Sequence, residues 1–327
     1  MNNYEKLNQI KNANSICLIS HISPDPDAIA SMVVFCEFLK SHFDVNRVDI
    51  FAETTNLSDG LLEILEDTKL NPTPADRYDI AIMMDAPNID RLGIYKELFI
   101  NAKQTIVIDH HATNNYSGNI NIVEMCSSTC EIIYSILKHF NYETTKSQKG
   151  KLYAGIITDT NNFVVGAITE NTFAIASEFT NQINREAIYK AFLANNTLKN
   201  MQLLSLAIEN LASYEHNQII ITHITSEQAK KYNTTHDNFC GLINKIATIN
   251  SCKLVCLIEP QDDMFYVSMR AKTNYDVSII AKKFGGGGHV GAAAFTSTLT
   301  LNEIHELILE EFRNQLSKIK EKKMNLF

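Results

Sequence analysis

SICLISHISPDPDAIASMVVFCEFLK, residues Ser15 to Lys40, changes character twice along its length. Ser15 to Ser20 is a short run without a charge, and Ala28 to Lys40 repeats apolar residues at helical spacing. Between them stand one histidine, two prolines and two aspartates. A strand with one wet face would alternate polar and apolar residues, whereas an unbroken apolar run is buried on both faces. The same kind of strand returns at Val48 to Ala52 (VDIFA), Tyr78 to Met84 (YDIAIMM) and Thr105 to Ile108 (TIVI). Helical periodicity returns at Leu61 to Leu65, Ser128 to Phe140 and Gln148 to Ile157. This alternation predicts an α/β fold with a parallel sheet covered by helices on both faces.

The pattern changes in the second half. From about Arg185 to Tyr214 the residues read as one long helix without a strand signal, suited to connecting two domains. Beyond it Gln218 to Ile224, Lys253 to Glu259 and Met264 to Arg270 read as strands. The last two are joined as a hairpin through the turn-like Pro260-Gln-Asp-Asp263. A terminal helix from about Asn302 ends in the solvated run KIKEKK. The predicted organisation is an N-terminal parallel-sheet α/β domain over residues 1–184 and a helical linker over 185–214. A smaller mixed-sheet α/β domain follows over 215–327.

Bulk properties narrow the function. A chain of 327 residues is long enough for two cores, and 45% hydrophobic with 20% charged residues is the balance of an ordinary globular protein. The formal charge of −8 argues against a protein that tracks long nucleic acid, which needs a basic stripe to release counterions. Seven cysteines without CxxC spacing read as small buried hydrophobes of a reducing compartment. The first residues lack a signal-peptide design, and no apolar run is long enough to span a bilayer. A soluble, cytoplasmic protein without a membrane partner is expected.

Polar residues that carry chemistry recur where apolar segments end. His21-Ile-Ser-Pro-Asp25-Pro-Asp27 follows the first strand, at the carboxyl edge where open parallel sheets bind ligands. The prolines would stiffen a cradle of three metal ligands, although Asp27 could equally cap the helix that follows. Asp85 ends YDIAIMMD, and Asp109-His110-His111 ends the next strand. Asp109 could orient a neighbouring imidazole. Asp159 ends the apolar segment AGIITD. One such acid is ordinary; four ends that each deliver His or Asp are not. Imidazole and carboxylate ligands suit manganese, with magnesium or cobalt as alternatives, better than a thiolate zinc site. A shared carboxylate would hold two ions about 3.5–4 Å apart, ready to activate water and steady phosphoryl oxygens.

Lys282-Lys-Phe-Gly285-Gly-Gly-Gly288-His289-Val-Gly291 offers consecutive glycines beside cations and a histidine. Backbone N–H groups can approach an anion closely there, with Arg270 and His289 adding donors. Gly286, Gly288 and Gly291 spell GxGxxG, but no βαβ unit with a ribose-binding acid follows, and no GK[ST] closes the run.

HISPDPD, the Asp of MMD, IDHH and ITD, in this order, resemble the four motifs of DHH phosphoesterases, and GGGGHVGAAA resembles the signature of the DHH-associated C-terminal domain. The resemblance covers nearly the whole chain. It implies one metal ion on His21, Asp25 and Asp85 and another on Asp27, Asp85, His110 and Asp159. Asp85 would bridge the ions and His111 would face the scissile phosphate. Arg270 with Gly286, Gly287, Gly288 and His289 would bind the substrate's terminal phosphate or base. Two departures, Ala30-Ser31 for the family's Gly-Ser and Ala292-Ala-Ala294 for its AAG, replace small residues with small ones. A two-domain chain of this size resembles the oligoribonuclease and pAp-phosphatase type, the nanoRNases, and by resemblance a homodimer. The acidic total agrees with a substrate of roughly two to five nucleotides rather than a long polymer. A cyclic di-AMP or pApA phosphodiesterase is the alternative within the same chemistry, and an inorganic pyrophosphatase would lack the GGGGH segment. A catalytically silent nucleotide-binding protein would have lost ligands that are all present here.

Overall fold

All five strands of the first sheet run in one direction. They are β1 (Ser15–Ile19), β2 (Arg47–Phe51), β3 (Ile80–Met84), β4 (Gln104–Asp109) and β5 (Ile120–Val123), in the order β2-β1-β3-β4-β5. Helices α1 (Pro26–His42), α2 (Asp59–Leu65), α3 (Lys96–Ile100), α4 (Thr129–His139), α5 (Lys146–Asp159), α6 (Glu170–Phe179) and α7 (Arg185–Phe192) complete this unit. The computed structural model describes residues 3–54, 57–194, 197–234, 239, 241–272 and 274–324. It falls into two compact units, Met1–Asn195 and Asn196–Phe327.

Both faces of the first sheet are covered, as near-continuous apolar strands require. Ile16, Leu18, Ile82, Ile106 and Ile108 pack with Val33, Ile132, Ile136, Leu152 and Ile156 from α1, α4 and α5. The alternate residues Cys17, Ile19, Ala81, Met83 and Val107 pack with Phe51, Tyr78 and Phe99 on the other face. The strand order reverses between β1 and β3, so the loops leaving these two strands diverge and open a crevice beyond their carboxyl ends. That crevice is where HISPDPD and Asp85 lie.

The second unit contains α8 (Leu198–Glu209), β6 (Ala212–Tyr214), β7 (Ile219–His223), α9 (Ser226–Lys231), α10 (Leu242–Ile246), β8 (Leu254–Gln261), β9 (Met264–Ala271), α11 (Ser278–Lys283), β10 (Gly287–His289), β11 (Ala292–Ser297) and α12 (Leu301–Met324). Its six strands form a mixed sheet in the order β10-β11-β9-β8-β7-β6, in which β7 and β8 are parallel and the other pairs antiparallel. Ile304, Ile308 and Phe312 of α12 cover one face, and Leu203, Leu242 and Ile246 of α8 and α10 cover the other. The hairpin of β8 and β9 closes with Gln261 opposite Met264, and Asp262 takes the left-handed turn conformation. Among the described residues no helix is long and apolar enough to cross a membrane.

Three expectations change. Residues 185–214 are two helices and a strand rather than one helix: Leu193 ends α7, and the Thr197 side chain starts α8 afresh by accepting from Asn200 N. Thr197 carries a cap signal that the apolar periodicity around it hides. Strands β5, β6, β10 and β11 carry no strand signal long enough to read, because they are short or built of Ala and Gly. Finally, Asp25 and not Asp27 caps α1, accepting from Ala28 N at 3.0 Å with Pro26 in the first turn.

Ile82 is fully buried on β3, the middle strand of the first sheet. Ile82→Ala is expected to cost about 2–5 kcal/mol through lost burial and a residual cavity, read from the midpoint of chemical unfolding. A shift no larger than that of a surface substitution would contradict the two-faced packing.

Candidate metal centre

Each acid of the centre is held by backbone geometry before any ion is considered. Asp27, fully buried in the first turn of α1, accepts from Thr129 N at 2.7 Å and from Cys130 N at 2.9 Å. These two groups open α4, so the carboxylate lies on a helix N-terminus, where unpaired N–H groups and the helix dipole favour an anion. Thr129 Oγ1 also donates to Asp85 Oδ1 at 3.0 Å. Asp85 directly follows β3 with φ +53°, a left-handed conformation that a non-glycine residue adopts at a cost of about 1–2 kcal/mol. Its N–H donates to Ile108 O, which fixes the turn against β4.

Asp85 is the meeting point. Its Oδ2 lies 3.6 Å from His21 Nε2, and its Oδ1 lies 3.4 Å from His110 Nε2 and 3.8 Å from His111 Nδ1. His21 Nε2 is also 3.9 Å from Asp25 Oδ2, and His110 Nε2 is 3.2 Å from Asp159 Oδ2. Three sets of donor atoms therefore cluster within 4.8 Å of one another: His21, Asp25 and Asp85; Asp27, His110 and Asp159; Asp85, His110 and His111. The Nδ1 atoms of His21 and His110 face the carbonyls of Ile22 and Cys126 at 2.9 and 3.4 Å. With Nδ1 occupied as donor, each ring presents Nε2 to the centre. Asp109 is fully buried, and its Oδ1 lies 2.7 Å from His111 Nδ1 while its Oδ2 accepts from Asn114 Nδ2 at 2.7 Å. It touches neither His21 nor His110 and orients His111 alone.

The electrostatics describe a site short of positive charge. Burial alone would depress the His21 imidazole, yet the hydrogen bond and charge of Asp85 hold its pKa up at about 9. Burial also opposes His110, and Asp85 with Asp27 carries it to about 10. Burial lifts the Asp159 carboxyl to about 6 against the pull of His110, and it lifts Asp27 well above the carboxylate range with Asp85 adding to the effect. Burial would raise Asp85 as well, but the hydrogen bonds from His110 and His21 hold it far below its ordinary value. Nitrogen and carboxylate oxygen donors at these separations, with no thiolate among them, fit a hard to borderline divalent ion.

Gly155 of α5 and the Ser127–Glu131 turn belong to the centre without a motif that announces them. A Cβ on Gly155 would lie 2.4 Å from Cys130 Sγ and 2.8 Å from Asp27 Oδ1, so α5 passes Asp27 at a distance only glycine allows. The signal for the turn is Ser128-Thr-Cys-Glu131, which has capping-box spacing.

The other predicted site residues lie in the second unit. Arg270, Ala292 and His289 occupy one register row across β9, β11 and β10. Arg270 Nε donates to Asn244 Oδ1 at 2.9 Å, and the residue lines a cavity of about 120 Å³ with Glu259, Tyr266 and Ser268. Gly286 and Gly288 approach a backbone, as expected of glycine, but it is their own neighbour strand. A Cβ there would lie 2.2 Å from Ala294 O or 2.5 Å from Ala292 O, and Gly288 has φ +137°. Gly287 has open space around it. The side chain of His289 lies outside the described residues.

The DHH family, N-terminal domain, matches residues 15–158, and the DHHA1 domain matches residues 216–318. The chain is 26% identical over 313 residues to the probable bifunctional oligoribonuclease and PAP phosphatase NrnA of Streptococcus mutans, covering 95% of this chain and 97% of that one. It is 24% identical over 289 residues to the bifunctional oligoribonuclease and PAP phosphatase NrnA of Bacillus subtilis, covering 87% and 90%. In fold it is similar to an exopolyphosphatase-related protein from Bacteroides fragilis, with a TM-score of 0.81 at 20% identity over 97% of this chain and 96% of that one.

Alanine in place of a helical glycine ordinarily gains about 1 kcal/mol. Gly155→Ala is expected to reverse that sign and destabilise the chain by about 1–3 kcal/mol, because α5 must move away from Asp27 and Cys130. Thermal unfolding of the metal-free protein measures it, and a gain in stability would show that α5 yields freely.

Proposed function

Since the chain belongs to the DHH family, we propose that it is a metal-dependent phosphoesterase acting on short oligonucleotides. It cleaves them, dinucleotides such as pGpG included, to mononucleotides and removes phosphate from 3′-phosphoadenosine 5′-phosphate. The observation that carries this reading is the contact of Asp85 with both His21 and His110, which draws two groups of ligands to one carboxylate. The activities named for the S. mutans and B. subtilis relatives support the choice of substrate. So does the acidic net charge, which disfavours a long polymer.

In this reading His21, Asp25 and Asp85 hold one ion, and Asp27, Asp85, His110 and Asp159 hold the other. Manganese is the ion of choice for such a mixed imidazole and carboxylate set. When bound, the ions supply the charge that activates water and offsets the developing charge on the phosphoryl oxygens. The chain does the rest. Burial opposes the His111 imidazolium, but its contact with Asp109 raises the pKa above its ordinary value and favours the protonated ring. From Nε2 it donates to a phosphoryl oxygen, while Asp109, pinned by Asn114, keeps the ring from turning. Arg270 with Gly286, Gly287, Gly288 and His289 binds the terminal phosphate or base of the substrate. The six described cysteines are buried and unpaired, in keeping with a cytoplasmic enzyme.

A single substrate panel tests this. With Mn²⁺, initial rates on pGpG, a short RNA and 3′-phosphoadenosine 5′-phosphate are expected to exceed those on cyclic di-AMP, long single-stranded DNA and pyrophosphate. Preference for any of the last three overturns the substrate assignment, and Asp85→Ala with near-native turnover overturns the shared-carboxylate centre. His111→Ala is expected to lower kcat by about 10²–10³ while the Mn²⁺ dissociation constants stay native.

A second measurement follows from the raised pKa values of His21, His110 and Asp159. An ion must displace protons that these groups hold in the metal-free chain, so apparent Mn²⁺ affinity rises from pH 6 towards pH 9. Calorimetric titration across that range measures it, and a pH-independent affinity would contradict the ligand set.

A further inference from the structure

Glu131 is a buried carboxylate that touches none of the proposed ligands. It is 2% exposed at the third position of α4. Its Oε2 accepts from Ser127 N at 3.2 Å, from Ser127 Oγ at 2.5 Å and from Thr172 Oγ1 at 2.8 Å. Its Oε1 accepts from Asn171 Nδ2 at 2.7 Å. Among the described residues all four donors are neutral. Removing a charge from water is costly unless every lone pair is met, and here the donors come from two separate segments that are thereby tied together.

Those segments are the ones that reach the centre. The turn from Cys126 to Cys130 makes four contacts with it: Cys126 O faces His110 Nδ1, Thr129 N and Cys130 N hold the two oxygens of Asp27, and Thr129 Oγ1 holds Asp85. Asn171 and Thr172 open α6, the next helix after α5, whose last residue is Asp159. One carboxylate thus anchors the turn that aims Asp27 and His110 and the helix that follows Asp159. His21 and Asp25, by contrast, are set by β1, Ile22 O and the cap of α1, to which Glu131 makes no hydrogen bond.

We propose that Glu131 is a positioning residue for one ion of the pair, the ion held by Asp27, His110 and Asp159, and has little effect on the ion held by His21 and Asp25. This rests on the dinuclear reading above. Glutamine can replace it with small effect, because the Asn171 amide and the Ser127 and Thr172 hydroxyls can each turn to serve as donor or acceptor. Alanine leaves the turn and α6 without their common anchor.

The test is a Mn²⁺ titration by calorimetry, with electron paramagnetic resonance to distinguish a coupled ion pair from an isolated ion. Glu131→Ala is expected to weaken one of the two ions by about 10- to 100-fold, the range for groups that orient ligands. The spectrum should become that of an isolated ion at low Mn²⁺, and activity should return with excess Mn²⁺. Glu131→Gln is expected to stay close to the native constants. A lowered melting temperature with both constants native would make Glu131 merely structural, and that result, equal weakening of both ions, or a Gln variant as weak as Ala overturns the proposal. Should Glu131→Ala not fold, Ser127→Ala removes one donor only. Selective weakening of the same ion then supports the proposal, and unchanged constants overturn it. If the native chain binds fewer than two ions, or Asp85→Ala binds two like the native chain, the dinuclear reading itself has failed, a result separate from the behaviour of Glu131.

Discussion

Asp85 is a charged group that has left water at the end of the central strand, and the first unit is organised around meeting its demands. Its oxygens face two imidazoles from two different loops and the hydroxyl of Thr129. Each partner must be delivered to within a few ångströms, which only a sheet with its strand ends in register can do. The reversal of strand order between β1 and β3 opens the space for it. Asp27, in the first turn of α1, then needs donors of its own and finds them at the start of α4. Besides the apolar residues between them, α1 and α4 are thus joined by the buried Asp27 carboxylate.

The cluster of acids and histidines was legible because residues at strand ends are local features: a strand, its edge and the residue just past it can be read within one segment. His21, Asp25, Asp85 and His110 were found in that way, and Asp159 from the end of a helix. What stayed hidden acts across long separations. Thr129 meets Asp27 and Asp85, Glu131 meets Asn171 and Thr172, and Gly155 makes room for Asp27. Nothing in a window around Gly155 distinguishes a glycine required by a neighbouring helix from one that merely weakens its own.

β7, β8 and β9 of the second unit were legible as apolar runs, whereas two of its strands stayed hidden for a related reason. β10 and β11 are written in glycine and alanine, residues with poor strand preference when taken alone. They pair because Gly286 and Gly288 let the backbone press against Ala294 and Ala292. The glycines that suggest an anion loop are in part consumed by this pairing. Gly285 and Gly287, with nothing within 4 Å of an added Cβ, keep the open space the sequence suggested.

The clamp on Asp27 also has a history in time. Its donors lie 102 and 103 residues downstream. At ordinary rates of synthesis, about 5–20 residues per second, α1 has been made for roughly 5–20 s before Thr129 and Cys130 exist to meet it. Throughout that interval the acid at its first turn has neither of these two donors, and a carboxylate without donors is costly to bury. A residue of the first loop thus depends on donors from the fourth helix, and the order of synthesis sets the earliest moment at which this clamp can close.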